Sequence, residues 1–428
     1  MADKGKNEKR LERKARMNQA IGTYAHLTHF IPKGLRQKVR DWMIRKTSPV
    51  EVTAPEAYLP GKYRDGINEF GFFKEETGLG QGARCYAKAI ETAGIPHRFI
   101  HLNFLDWLPG DDRSYEKKLK RKPAYAVNVI HMNPDLLEEA LQTIPKRFFD
   151  RRYNIGVWLW ELETLPECWL KSLDFFDEIW TPSEFIAKAV RKETAKPVTV
   201  IPYGIEPMRP GRTRRDLGLP EDKFIALAMF DAHSYTVRKN PMAAIEAFTE
   251  AFAGNPEALL VLKANHPKDD EIARLEEQLK EAGVRYRLIR DRMPREQLND
   301  LMACCDAFIS LHRSEGFGLP IAEAMALGTA AVATNWSANA EFMDETCAGC
   351  IGYRLVPVGD QYAYETKESD RWADPDIHEA ARYLKKLYED PGYRQEVSEA
   401  GQEHIRETLS VEKCGGRIKK RLDEILLR

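Results

Sequence analysis

No apolar run in the chain approaches the roughly 18 residues of a membrane-spanning helix, so no transmembrane helix is expected. The N-terminus, Met1-Ala2-Asp3-Lys4, is charged and lacks the apolar centre of a signal peptide. Cysteine is scarce. The seven present, an odd number scattered from Cys85 to Cys414, argue for reduced thiols in a cytoplasmic protein. Cys347-Ala348-Gly349-Cys350 has no second pair and no nearby histidine, and reads as incidental thiols. No Asp-x-Asp follows a strand to hold a metal; Asp374-Pro375-Asp376 has the spacing but falls in a late, helix-leading loop. A G-x-G-x-x-G fingerprint is also missing. Gly78-Leu79-Gly80-Gln81-Gly82 is G-x-G-x-G, and the next strand ends in His101-Leu102-Asn103 without the acid a dinucleotide would need, which argues against a dehydrogenase. There is no short repeat, and no nucleic-acid reading motif accompanies the basic clusters.

What is present is ample for two cores. At 428 residues the chain exceeds the size at which a single core stops growing. Its apolar fraction of 43% includes 8 Trp and 18 Phe, enough to fill both. The near-neutral charge hides an asymmetry: residues 1–46 hold thirteen Lys and Arg against four Asp and Glu. Within them, Leu35, Val39, Trp42 and Met43 share one helical face and basic side chains cover the rest, as in helices that lie on a membrane surface. Lys117-Lys118-Leu119-Lys120-Arg121-Lys122 forms a second basic cluster. At roughly 1 kcal/mol per basic residue near an anionic leaflet, the two clusters on one face would suffice for peripheral contact with the membrane.

Strand-like and helix-like segments alternate from about residue 66 to 355, which predicts an α/β chain with parallel sheets. A first series runs from Ile67–Phe73 through Arg98–Leu102, Tyr125–Ile130, Asn154–Leu159 and Glu178–Thr181 to Val198–Ile201. Pro202-Tyr203-Gly204-Ile205-Glu206-Pro207 reads as the joint. A second series comprises Phe224–Phe230, Ala258–Lys263, Arg285–Arg290, Ala307–Ser310 and Ala330–Thr334. The expected division is a basic extension (1–50), a first Rossmann-like domain (51–205), a second (206–405) and a C-terminal helix (406–428) packing back on the first domain.

The most informative segment follows the strand Ala307–Ser310. Seven residues separate Glu315 from Glu323, and Pro320 sits where a helix would begin. Free backbone N–H groups at such a start favour an anion or a cluster of hydroxyls, and each carboxylate can accept two hydrogen bonds from a sugar diol. Upstream, Arg238 and Lys239 precede Pro241, so two cations and a helix dipole converge after a strand. The run Glu315-Gly316-Phe317-Gly318-Leu319-Pro320, continuing through Glu323 to Thr329, resembles the E-x7-E element of retaining GT-B glycosyltransferases, family 4 (group 1) in particular. The resemblance spans about residues 66–410 and is strongest over 224–345.

The resemblance implies a GT-B fold, two Rossmann-like domains facing across a cleft with a helical C-terminal tail. It further implies a metal-independent hexosyltransferase needing no cofactor beyond a nucleotide-sugar donor of the GDP-mannose or UDP-glucose type. Glu323 would bind the ribose, and Glu315 the donor sugar. Gly316, Phe317, Gly318 and Leu319 would face sugar hydroxyls or the diphosphate. Arg238 and Lys239 would stabilise the departing diphosphate, with Gly78 and Gly80 approaching it from the first domain and His131 near the sugar. Arg84 is a further cleft candidate, and Trp158-Leu159-Trp160-Glu161-Leu162-Glu163 an acceptor-side one. The acceptor would be a glycan or lipid-linked molecule in bacterial polysaccharide or glycoconjugate assembly, at the inner face of the membrane. A nucleotide-sugar epimerase and a non-catalytic sugar-binding scaffold remain the alternatives. Donor base, sugar, linkage and oligomeric state are not legible in the sequence.

Overall fold

The computed structural model describes residues 52–104, 110–207, 209–266, 269–359, 362, 364 and 366–427. The basic segment 30–46 lies outside them. The first series builds one six-stranded sheet from β1 (Arg64–Gly71), β2 (His97–His101), β3 (Tyr125–His131), β4 (Tyr153–Val157), β5 (Glu178–Thr181) and β6 (Val198–Val200). Their order is β2-β1-β3-β4-β5-β6, and every pairing is parallel. Helices α1 (Gly78–Thr92), α2 (Leu137–Thr143), α3 (Glu167–Leu170) and α4 (Glu184–Arg191) cross between them.

The second series forms another parallel sheet. Its strands are β7 (Phe224–Asp231), β8 (Ala258–Asn265), β9 (Tyr286–Ile289), β10 (Ala307–Ser310), β11 (Ala330–Thr334) and β12 (Gly349–Ile351). The order β12-β11-β10-β7-β8-β9 reverses direction between β7 and β10. In open α/β sheets that reversal opens a crevice at the carboxyl ends, where ligands bind. The loops that leave these two strands carry Arg238-Lys239 and Glu315.

The connections of the second sheet are α5 (Thr236–Lys239), α6 (Pro241–Phe252), α7 (Asp269–Glu281), α8 (Arg295–Ala303) and α9 (Leu319–Ala326). After β12 comes an antiparallel hairpin, β13 (Tyr353–Pro357) with β14 (Arg371–Pro375). Asp374-Pro375 thus lies in a strand rather than a loop, and only Asp376 leads a helix, capping α10 (Ile377–Glu389) through the Glu379 amide. Asp390-Pro391-Gly392 breaks the helical tail into α10 and α11 (Pro391–Leu409) as its composition suggests. A final helix, α12 (Val411–Leu426), follows.

That last helix lies against α1 of the first sheet. The contact is close because Gly415 has no side chain: a Cβ there would lie 2.6 Å from Ala89 O. Arg421 fastens the helix with two bonds of 2.8 Å to the Glu178 carboxylate, whose residue is fully buried in β5. One apolar cluster runs without interruption from Ile67 and Tyr86 through Ile225 and Phe308 to Ile418 and Leu422, so both sheets and the tail share a core. Arg421→Ala would leave Glu178 buried with its neutral donors alone. It is expected to cost about 3 kcal/mol, seen as a lower urea midpoint, whereas Arg406→Ala on the exposed face should change it little.

Candidate active site

The cleft between the sheets encloses about 420 Å³. Its walls carry Gly78, Leu79, Arg84 and Glu161 from the first sheet's side and Arg238, Lys239, Arg295, Glu315, Gly316, Phe317, Gly318, Leu319 and Glu323 from the second. Most of the expected residues therefore meet in one space. A second cavity of about 580 Å³, lined by Thr236, Val237, Asn240 and Arg313 among others, contains none of them.

Arg238 and Lys239 ride on α5, a single turn bracketed by two left-handed residues, Tyr235 at φ 63° and Asn240 at φ 51°. Such backbone costs of order 1 kcal/mol per residue and persists where surroundings fix it; here the Asn240 side chain donates to Leu311 O at 3.0 Å. The turn delivers Arg238 to a position only 3% exposed. Its guanidinium donates to Ser314 O at 2.7 Å and faces two carboxylates, Glu161 at 3.3 Å and Glu315 at 3.6 Å. Lys239 Nζ is 2.5 Å from Glu315 Oε1. Burial alone would raise the Glu315 carboxyl, but Lys239 and Arg238 hold it down at about 2. Burial lowers the Arg238 guanidinium in the same way, and Glu161 and Glu315 more than reverse it. His312 lies fully buried next to this group, and burial keeps its ring neutral, down at about 4.

Glu323 sits on α9, 3% exposed, in an ion pair with Arg295. Burial raises its carboxyl even though Arg295 opposes the shift. Arg295 was not anticipated. The signal was present, because it is the first residue of α8, where the helix dipole disfavours a cation unless a carboxylate elsewhere holds it.

The Glu315–Leu319 loop is held from both sides of the cleft, by Ser337 Oγ accepting the Glu315 amide at 2.8 Å on its own side and by the first sheet's side opposite. Ser183 Oγ donates to Gly316 O at 2.8 Å, and a Cβ on Gly316 would lie 2.9 Å from Trp160 O. Phe317 packs edge-on against Tyr203, ring centroids 5.0 Å apart. Gly318, at φ 91°, turns the chain into α9.

Other expectations need correction. Gly78–Gly82, expected to approach the diphosphate, form the first turn of α1, capped by Thr77, whose hydroxyl accepts the Gly80 N–H at 3.2 Å. A Cβ on Gly80 would lie 2.1 Å from Glu75 O, so this glycine serves packing against the preceding loop; it does not line the cleft, whereas Gly78 does. His131 does not reach the cleft either. It is fully buried, bonds the Tyr203 hydroxyl at 2.9 Å, and burial holds it neutral at about 3. Gly82 makes room for that pair, since a Cβ there would lie 2.5 Å from the Tyr203 hydroxyl. Trp158 and Trp160 are core residues, leaving Leu159 and Glu161 of that stretch at the cleft. Arg84 lines the cleft while gripping the β1–α1 loop through Phe73 O and Glu75 O. Among the described residues, one group with metal-ligand atoms within 4.8 Å is Asp344, Cys347 and His404, which brings a histidine to the Cys-x-x-Cys; none of the three lines the cleft.

Residues 212–354 match the model of the glycosyl transferases group 1 family. The matched segment holds Arg238, Lys239, Arg295, Glu315 and Glu323; Glu161 and Gly78 lie outside it. No curated protein matches the chain. Among solved structures, the chain resembles Anabaena Alr3699/HepE in complex with UDP and glucose at 16% identity, covering 84% of this chain and 100% of that one, with a TM-score of 0.60. It is equally similar to sucrose-phosphate synthase from Thermosynechococcus elongatus, at 15% identity, 85% and 100% coverage and a TM-score of 0.60. A glycosyltransferase from Rickettsia africae gives 13%, 85%, 99% and 0.60. The fold is GT-B. No helix among the described residues is long and apolar enough to cross a membrane.

The depressed Glu315 carboxyl gives its ion pairs a pH signature. A group lowered from its ordinary 4.5 to about 2 stabilises the fold above pH 4.5, and that contribution is lost as pH falls through 2. The gap in denaturation midpoint between the natural protein and Glu315→Gln should be constant above pH 5 and close toward pH 2. A gap that ignores pH would mean the carboxylate is not charged in the fold.

Proposed function

We propose that this GT-B protein is a retaining glycosyltransferase that moves a hexose, of mannose or glucose type, from a nucleoside-diphosphate sugar to a glycan or lipid-linked acceptor. The observation that carries the reading is the convergence of Arg238, Lys239, Glu315 and Glu323 in one cleft at the β7/β10 crevice. Breaking the donor bond builds negative charge on the leaving diphosphate, and fixed cations aimed at that charge lower the barrier. Arg238 and Lys239 fill that role without a metal. Glu323 takes the ribose, displacing Arg295, and Glu315 orients the sugar while remaining ionised. The Gly318 and Leu319 amides lie at the start of α9, where no preceding turn accepts them, and in this reading they face the donor together with the Phe317 amide. Residues 206–405 form the donor domain in this reading and 51–205 the acceptor domain. The Anabaena structure holds UDP and glucose, which puts UDP beside GDP among the donors to try. The enzyme would work in bacterial polysaccharide or glycoconjugate assembly, on the cytoplasmic side of a membrane.

Thermal-shift measurements with UDP, GDP and ADP test donor binding, since a ligand bound only by the folded state raises its stability. One of them should raise the unfolding temperature; no shift from any would sink the proposal. With the matching donor, Lys239→Ala should lower turnover by about a hundredfold or more, and EDTA should leave turnover intact. Glu323→Gln should weaken nucleotide binding, while Glu315→Gln should damage turnover more than binding.

A further inference from the structure

Glu161 belongs to the first sheet's side of the cleft, yet it is held from the other side at three points. Ser314 Oγ donates to its backbone oxygen at 2.6 Å, the Tyr362 hydroxyl donates to Oε2 at 2.6 Å, and Oε1 faces Arg238 Nη2 at 3.3 Å. Tyr362 comes from the β13–β14 connection, which also grips the first sheet's side through Asp370 and the Thr164 hydroxyl at 2.5 Å. The acid is therefore placed, not a solvated side chain that happens to be near.

Its place matters because of the charge count. Arg238 and Lys239 bring two positive charges, and Glu161 and Glu315 bring two negative ones, so the four groups are balanced before any donor arrives. A diphosphate that binds this pair adds further negative charge within a few ångströms of both carboxylates. Glu315 is shared between Arg238 and Lys239, with its short contact to Lys239. Among the described residues Glu161 makes its direct ion pair with Arg238, feels Lys239 at longer range, and keeps a neutral partner, Tyr362, if the Arg238 contact is given up. Arg238 in turn retains Ser314 O and has an Nε without a hydrogen-bond partner, so it can regroup around a new anion.

We infer that Glu161 is a built-in stand-in for donor phosphate, occupying Arg238 in the empty cleft and yielding it when a nucleoside diphosphate binds. It acts as a positioning residue with two opposed effects. It keeps the buried guanidinium oriented while the site is empty, and it competes with the phosphate for the same donors. Because the acid stands on the opposite wall, its release also loosens one tie between the two sides of the cleft at the moment the donor arrives. This inference rests on the donor reading above.

The test is calorimetric titration of UDP and GDP into the full-length protein and into Glu161→Gln, which keeps the shape and the Tyr362 contact but removes the charge. The variant should bind whichever nucleoside diphosphate the natural protein binds roughly three- to tenfold more tightly. Its unfolding temperature should be lower when empty and recover on adding nucleotide. Glu161→Asp, which keeps a carboxylate but shortens its reach to Arg238, should show a smaller gain in the same direction, and it decides the matter if the glutamine variant does not fold. Equal or weaker binding by the variants overturns the inference and leaves the donor reading standing. Absence of binding of either nucleotide to the natural protein overturns both.

Discussion

A guanidinium that is 3% exposed where two sheets meet would be several kcal/mol too costly without partners. Arg238 has three: a carbonyl from its own half, Glu315 beside it and Glu161 from across the cleft. Much of the nearby architecture follows from supplying those partners. The strained turn α5 exists to aim the arginine, and its own carbonyl accepts from the Arg313 amide at 2.8 Å, tying it to the segment that leads into Glu315. The missing side chain of Gly316 lets the Glu315 loop lie against the Trp160 backbone, which brings Glu161 within reach.

The walls of the cleft are held in place by similar means at greater distance. Tyr203, at the joint, links the His131 ring behind α1 to the Phe317 ring at the start of α9. The C-terminal helix then crosses back, locks on Glu178 and lies with its own Gly415 close against Ala89 and Ala93 at the end of α1. Arg292 adds ion pairs to Glu76 and Asp111 at the rim. A cleft assembled from both halves needs such braces, because misplacing either wall by an ångström would undo its geometry.

The parts legible in the sequence were those with local signals. β10 and α9 announced themselves by an apolar run, a Gly-x-Gly turn and Pro320 at the helix start. The cation pair was marked by its place between a strand and Pro241, and the break before α11 by Asp390-Pro391-Gly392. The hairpin β13–β14 went unread because Tyr353–Pro357 is largely exposed and lacks the alternation of a half-buried strand. Gly80 and His131 were read as ligand contacts on the family resemblance, which places a glycine and a histidine near the donor at these points of the chain. What each faces was settled by packing: Gly80 lies against Glu75 and Phe72 of the loop just before it, and His131 against Tyr203, 72 residues further on.

The sequence by itself determined the class of this protein: two parallel α/β units, with Glu315, Glu323, Arg238 and Lys239 at strand ends. Those features are set by periodicity, turn residues and helix-start chemistry, which act over a few residues. Only the tertiary structure decided which charges meet. The Arg238–Glu161 and Arg295–Glu323 pairs join residues 77 and 28 positions apart, and no local preference encodes them. They form because burying one charge demands another within a few ångströms, and the fold alone decides which one is there.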